Sequence, residues 1–562
     1  MPKAESVVSK QYKWASAGDV NAFFGLMLDN IADLLLTVGL LSAVFGFPVT
    51  FALGHMVPGT ALGVLVGDLL FFALALHVGR KLGKSDLTAM PLGLDTPSTF
   101  GMVFFVLGPA FLAAKQTMDV EQAAIYTWHI GICSIVVSGV FKLFCALISG
   151  WIRSALPRAA LLGSLAAVAL VLISFLPAIE VFHYPLVGLV SLSIILTTLV
   201  ARVPFPRLPM IGRMPGALGA AVVSGLMFYL LKWTNNDMLL GPTAGAEMID
   251  PSAALFPTDW FTVFRFEWIA RLGDSMQYMP IVIPFALATV VGGIDCTESA
   301  ASAGDEFDTK TVIGIEAVAT LIAGLCGGVI QTTPYIGHPA YKAMGGRSGY
   351  VLATALFVGG AGLFGYFGYL YAIIPKATVF PILIFVGLEI TAQTFRVTNR
   401  AHYPAIVLAC VPALATLIVL HIDKMMGELA GVAYQTADGQ VANVSLATLS
   451  ATLQEEIFTL HVLASGFICT SLLWASALVA IIDRKLARAG TIFAIAAVCV
   501  LFGLMHSPLP GGPLYLPWKL ESEMWETVIR YASGYGVVAV MLWLWSLGVS
   551  PLSSESNLHD EQ

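Results

Sequence analysis

Along most of this 562-residue chain the apolar positions do not alternate with polar ones. They run unbroken for about 17 to 25 residues at a time, the length of a helix that crosses a bilayer. Sixteen such runs begin between Asn21 and Tyr531, and strand-period alternation is absent, so the spans are read as helices and not as a barrel. Two runs open irregularly. The third starts within "TAMPLGLDTPSTFGM" (Thr88 to Met102) and the tenth within "TTPYIGHPAYKAMGGRSGY" (Thr332 to Tyr350). Each places Thr-Pro, Thr96–Pro97 or Thr333–Pro334, ahead of a Gly-containing apolar run. Either both are proline-kinked helices, or they are half-helices whose N-termini face a common point at mid-depth, where free N–H groups favour a polar or anionic ligand.

The longest polar connectors, Trp233 to Met279 and Ile422 to Ile457, divide the pattern into seven spans before the first and nine after it. Seven is odd, so a repeated seven-span unit enters the membrane with opposite orientation, the inverted-repeat plan of many transporters. Spans 3 and 10 are then counterparts. Of the 28 Lys and Arg, nineteen lie in segments that are cytoplasmic if the N-terminus is inside, and eight in external ones, although these include the longest loops. The positive-inside bias places the N-terminus in the cytoplasm of a cell with an inner membrane. The remaining one, Lys142, is read as lying near the inner end of span 4.

Composition agrees. The chain is 57% hydrophobic and 11% charged, against roughly 25% charged in soluble chains, with mean hydropathy +0.84. The first twenty residues are polar, so no cleavable signal peptide is expected. Seven cysteines without a CxxC pair suggest neither disulfides nor zinc. No basic run points to nucleic acid, and no cofactor motif or Ser/His/Asp arrangement points to an enzyme. "GRKLGKS" (Gly79 to Ser85) has the wrong glycine spacing for a phosphate loop, and "DEFDTK" (Asp305 to Lys310) reads as a solvated turn.

Charges inside spans are costly, about 2.5–3.5 kcal/mol each, so their positions carry information. They are Asp29, Asp33, Asp68, Asp95, Asp295, Glu298, Glu316, His338, Lys342 and Glu389, nine of them in spans 1–3 and 8–10. A polar core set and an apolar frame follow. Core spans cover 21–152 and 280–375, gate spans 153–232 and 376–484, and the external connector 233–279. Two additional spans fill 485–550, between cytoplasmic tails at 1–20 and 551–562. Asp29 and Asp33 share a helix face and serve either packing or a site. Asp68 is a structural partner or a site group, and Asp95 a helix cap or a ligand. Glu389 is read as structural, and Lys342 as reaching the inner surface along its stem. Asp295 and Glu298, three apart in "VVGGIDCTESAASAG" after a Gly-Gly that admits a close neighbour, are the leading candidates for binding substrate or proton. Asp95, Thr96 and Ser98 at the start of span 3 are candidates for contacts, with Phe100 or Tyr335 stacking on a ring.

The stretch "GGIDCTESAASAG…FDTKTVIGIEAVATLIAGLCGGVIQTTPYIGHPAYKAMGGRSGYVLATALF" resembles the azaguanine/hypoxanthine permease-like branch of the nucleobase–cation symporters, closely over Val291 to Phe357. The resemblance implies an all-helical, fourteen-span 7+7 inverted-repeat fold of core and gate, with spans 3 and 10 each opening as a short strand, the second at Thr333 to Ile336. It implies a proton-coupled purine or related heterocycle as substrate, with proton ahead of sodium, and leaves a homodimer open. By position, Asp295 matches the acid of span 8 and Tyr335 flanks the site. The second acid, of span 10, falls at Gly337, with His338 beside it as a replacement or merely a cap. The alternative of the same architecture is an inorganic-anion or carboxylate transporter. The twelve residues after Ser550 leave no room for the soluble domain usual in sulfate carriers. Spans 15 and 16 exceed the family's fourteen.

Overall fold

The computed structural model describes residues 12–150, 158–206, 216–240, 250–335, 337–429, 433–435, 441–443, 445–509, 512 and 514–548. Among the described residues, ten helices are long and apolar enough to cross a membrane, from Gly18–Phe45 to Ser522–Ser546. Two helix pairs pass the same test together but bend sharply: Gly349–Leu363 with Phe367–Ile373 by 91°, and Ala451–Ala464 with Phe467–Ile482 by 73°. The shorter apolar helices Pro185–Val200 and Leu486–Leu501 complete the set. This is a multi-pass membrane protein, mostly helical, with a short strand at each irregular span. A further strand pair, Ala433–Gln435 with Val441–Asn443, lies in the second long connector. The tails at 1–11 and 549–562 and part of the first connector, 241–249, lie outside the described residues.

The chain divides into two compact units. One comprises Met1–Ser154, Phe175–Ser275 and Phe285–Val386; the other Ala155–Ser174, Met276–Pro284 and Gly387–Gln562. In the first unit, apart from the start of α5 before Phe285, we number α1 Gly18–Phe45, α2 Val49–Leu82, β1 Leu92–Leu94, α3 Thr96–Ala114, α4 Val120–Leu147, α5 Met279–Ser302, α6 Thr309–Leu325, β2 Thr332–Pro334, α7 His338–Ala343 and α8 Gly349–Leu363. The two irregular spans differ. α3 continues for 19 residues through a π-turn at Val103–Leu107, whereas α7 has only 6. It ends where Gly345, at φ +83°, lets the chain turn back in a conformation that strains any side chain.

At one end of this unit the segment Tyr12 to Asp19 is strapped across both connections to the strands. The Tyr12 hydroxyl donates to Leu87 O (3.0 Å) and the Ser16 hydroxyl to Gly345 O (2.5 Å). One Asp19 oxygen accepts from the amides of Arg347 (2.8 Å) and Tyr350 (3.0 Å). The turn after α2, the turn after α7 and the N-terminal segment therefore share one side.

In the second unit the extra C-terminal helices have a place. The loop between them packs where Ala451–Ala464 breaks from Phe467–Ile482. His506 N donates to Ser465 O (3.0 Å), and its ring lies 3.1 Å from Val462 O and 2.8 Å from the Tyr535 hydroxyl. The Trp474 indole donates to the same hydroxyl (2.8 Å). Carbonyls at the break are thus answered by His506 of that loop, Ser465 O by its backbone N–H and Val462 O by its ring.

Candidate functional site

β1 and β2 pair antiparallel, Leu92 with Pro334, Gly93 with Thr333 and Leu94 with Thr332. Asp95 N donates to Gln331 O (3.1 Å) and Tyr335 N to Pro91 O (2.8 Å). Hydrogen-bonded and non-hydrogen-bonded pairs alternate along such a ladder, so Leu94/Thr332 and Leu92/Pro334 point their backbone groups outward. Pro334 sits at an outward position, where its missing N–H costs no ladder bond. The other outward groups are buried and must find partners.

Side chains from five helices supply them. On the β1 side, Asn30 Oδ1 of α1 accepts from Leu94 N (3.0 Å) and Asp68 Oδ1 of α2 accepts from Leu92 N (3.1 Å). On the β2 side, the Thr320 hydroxyl of α6 accepts from Thr332 N (3.2 Å), and Lys142 Nζ of α4 donates to Thr332 O (2.9 Å). The Cys296 thiol of α5 donates weakly to Pro334 O (3.3 Å). Lys142 also pairs with Glu316 of α6 at 2.9 Å, both side chains at 0% exposure. Two opposite charges so enclosed hold each other in place, because neither has water as an alternative.

Placement of the anticipated residues is uneven. Asp95 caps α3, accepting from Ser98 N (2.9 Å), and the Ser98 hydroxyl turns back to Asp95 O (3.0 Å). The Thr96 hydroxyl donates to Asp33 Oδ2 (3.0 Å), and Asp29 bonds the Tyr335 hydroxyl. Asp33 and Asp29 are buried and each keeps one carboxylate oxygen without a protein partner. Phe100 is buried and stacked on Phe104 (6.1 Å between centroids). His338 is buried with its ring nitrogen 3.1 Å from Thr88 O and 3.4 Å from Asp305. Gly337 opens α7 and lies against the rings of Tyr341 and Tyr335. Asp295, Glu298, Tyr335 and Gly337 are the partly exposed members. The structure therefore joins Asp29, Asp33, Asp95, Thr96, Ser98 and Tyr335 around the strand crossing. It sets His338 apart from these, among Thr88, Asp305 and Phe307.

Several expectations need correction. Lys142 is not a residue of the inner rim; it is fully buried, five residues before the end of a 28-residue helix. A lysine inside an apolar run calls for a carboxylate partner, and Glu316, likewise mid-span, is the one signal that could have named it. Asp305 is not solvated: it is buried, accepts from Thr88 N (3.1 Å) and pairs with Lys342 (2.6 Å). The Gly-Gly of α5 admits a side chain, since a Cβ on Gly293 would stand 2.7 Å from a Glu316 oxygen. Glu389 pairs with Arg396 at 2.9 Å on an exposed surface. The observed strand spans Thr332–Pro334; Ile336, to which it was expected to run, lies outside the described residues.

No protein-family model and no curated protein matches the sequence. Solved structures do. The transmembrane domain of a cyanobacterial bicarbonate transporter, BicA, is 12% identical with TM-score 0.44, over 73% of this chain and 96% of that one. The murine anion transporter Slc26a9, in an inward-facing state, is 13% identical with TM-score 0.41, over 79% and 73%. A further structure of SLC26A9 is 10% identical with TM-score 0.45, over 97% and 91%. Likeness at this level carries no argument about activity. The resemblance to nucleobase–cation symporters is nonetheless overturned, because the structures found belong to a different family and no symporter family model matches.

Proposed function

We propose that the chain is a secondary active transporter, not an enzyme, that moves a small inorganic anion or carboxylate by alternating access. The observation that carries this reading is the antiparallel crossing of β1 and β2. Two strand–helix breaks seven spans apart meet there with opposite direction, which is how an inverted repeat builds a site at mid-membrane. Irregular backbone is tolerated at such depth where it lines a polar site. An anion is favoured over a flat heterocycle by two features. Phe100, the ring a base would stack on, is already stacked on Phe104. And α7 opens at Gly337 with no side chain capping it, whereas Asp95 fills the start of α3.

Tyr335 and the uncapped opening of α7 are the proposed contacts to the anion, with the start of span 3 behind them, and Asp295 and Glu298, likewise partly exposed, are the proposed carriers of the coupling proton. Carboxylates outnumber ammonium groups around the crossing, and an apolar surrounding admits little net charge, so protons are the natural coupling ion, taken up at Asp295 or Glu298. The core and gate division and the cytoplasmic N-terminus in a cell membrane belong to the same proposal.

The test is counterflow into liposomes by purified protein, with bicarbonate, sulfate, fumarate and hypoxanthine as probes. Exchange of an anion is expected. Exchange of hypoxanthine alone would overturn the reading. Asp295→Asn, folded and inserted, is expected to abolish pH-driven exchange, since an amide cannot carry a proton. Normal exchange by this variant across a pH series would make Asp295 structural.

A further inference from the structure

α4 and α6 contain neither strand nor broken start, yet they deliver the one oppositely charged buried pair at the crossing among the described residues. Lys142 Nζ donates to Thr332 O at 2.9 Å and to the Thr320 hydroxyl at 3.4 Å, and forms an ion pair with Glu316 Oε1 at 2.9 Å. Thr332 begins β2, three residues before Tyr335. On the other side of the pair, Glu316 rests on Gly293 of α5, two residues before Asp295. One ion pair thus touches both elements that present the partly exposed groups of the proposed site. Cys296, between them, bonds from α5 to β2.

We propose that Lys142 and Glu316 are positioning residues of the transport site, fixing β2 against α5 and so the placing of Tyr335 relative to Asp295. The proposal rests on the transporter reading above for its consequence but not for its geometry. A buried ion pair that serves stability alone is replaceable by apolar side chains of similar volume. This one is not, because no apolar side chain at position 142 can donate to the outward carbonyl of Thr332, and none at 316 presents a carboxylate to α5.

The test compares full-length wild type, Lys142→Arg, Glu316→Gln and the double variant Lys142→Met/Glu316→Leu in liposomes. Two readouts are taken: maleimide labelling of native Cys296, followed by peptide mass spectrometry, and the pH profile of exchange of bicarbonate, sulfate and fumarate. Cys296 is buried against β2 and is expected to label slowly in wild type and in Lys142→Arg, which keeps its donors. The double variant is expected to fold, to label at least tenfold faster, and to exchange anions at least tenfold more slowly with a displaced pH profile. Wild-type labelling and a wild-type pH profile in the folded double variant overturn the proposal. If that variant does not fold, Glu316→Gln decides in the same way, faster labelling supporting the proposal and wild-type labelling overturning it. If wild type moves no probe, the transporter reading fails, while the labelling still decides whether the pair sets β2 against α5.

Discussion

The two strand–helix breaks share a sequence plan and are held by different means. At the first, both outward amides of β1 go to uncharged or singly charged acceptors, Asn30 and Asp68, on the two preceding helices. The helix that follows is capped by its own Asp95 and runs on to Ala114. At the second, the outward groups of β2 go to Thr320 and to a lysine locked in a buried ion pair, and the helix has six residues and no side-chain cap. At the first break the helix start is capped by its own Asp95, whereas at the second the strand is held by a charge brought from another helix. Sequence-local capping makes a rigid arm. A long-range charge makes an arm whose position depends on helices far from it.

That contrast can be broken most severely at its charge. Lys142→Met leaves Glu316 buried without its partner, and the protein is expected to lose about 3–5 kcal/mol, read from denaturant unfolding in detergent. A loss under about 1 kcal/mol would show that β2 does not depend on the pair. Asn30→Leu strands the Leu94 amide in the interior, with an expected loss of about 1–3 kcal/mol and an earlier thermal transition. Next comes the cap. Asp95→Ala is expected to cost about 0.5–2 kcal/mol. Because α3 is otherwise continuous, hydrogen exchange should rise at Thr96–Thr99 and stay unchanged in β2; equal exchange at both strands would erase the distinction drawn here. At the bottom of the scale, Glu389→Gln removes an exposed pair with Arg396, and a change within about 1 kcal/mol is expected from unfolding midpoints. A larger effect would mean that surface pairs here weigh as much as buried ones.

The hydrophobic runs, the proline-broken starts of spans 3 and 10, and the seven-span spacing between them were legible in the sequence. Each is a property of consecutive residues: a run long enough to satisfy its own backbone in lipid, or a proline that cannot donate. Asp295 and Glu298 could be singled out for the same reason, since carboxylates inside an apolar run advertise themselves. Partnership was not legible. Nothing local to Asn30, Asp68 or Thr320 says that each will accept a strand amide, and nothing local to Asp305 says that it is buried against Thr88. Lys142 lay close enough to a helix end to pass for a surface residue until Glu316, 174 positions later, was placed beside it. The sequence by itself determined which segments enter the membrane and where they break. Only the tertiary structure decided which side chain answers each freed backbone group, because an outward strand amide or carbonyl takes whatever polar atom packing brings within about 3 Å, whatever its distance along the chain.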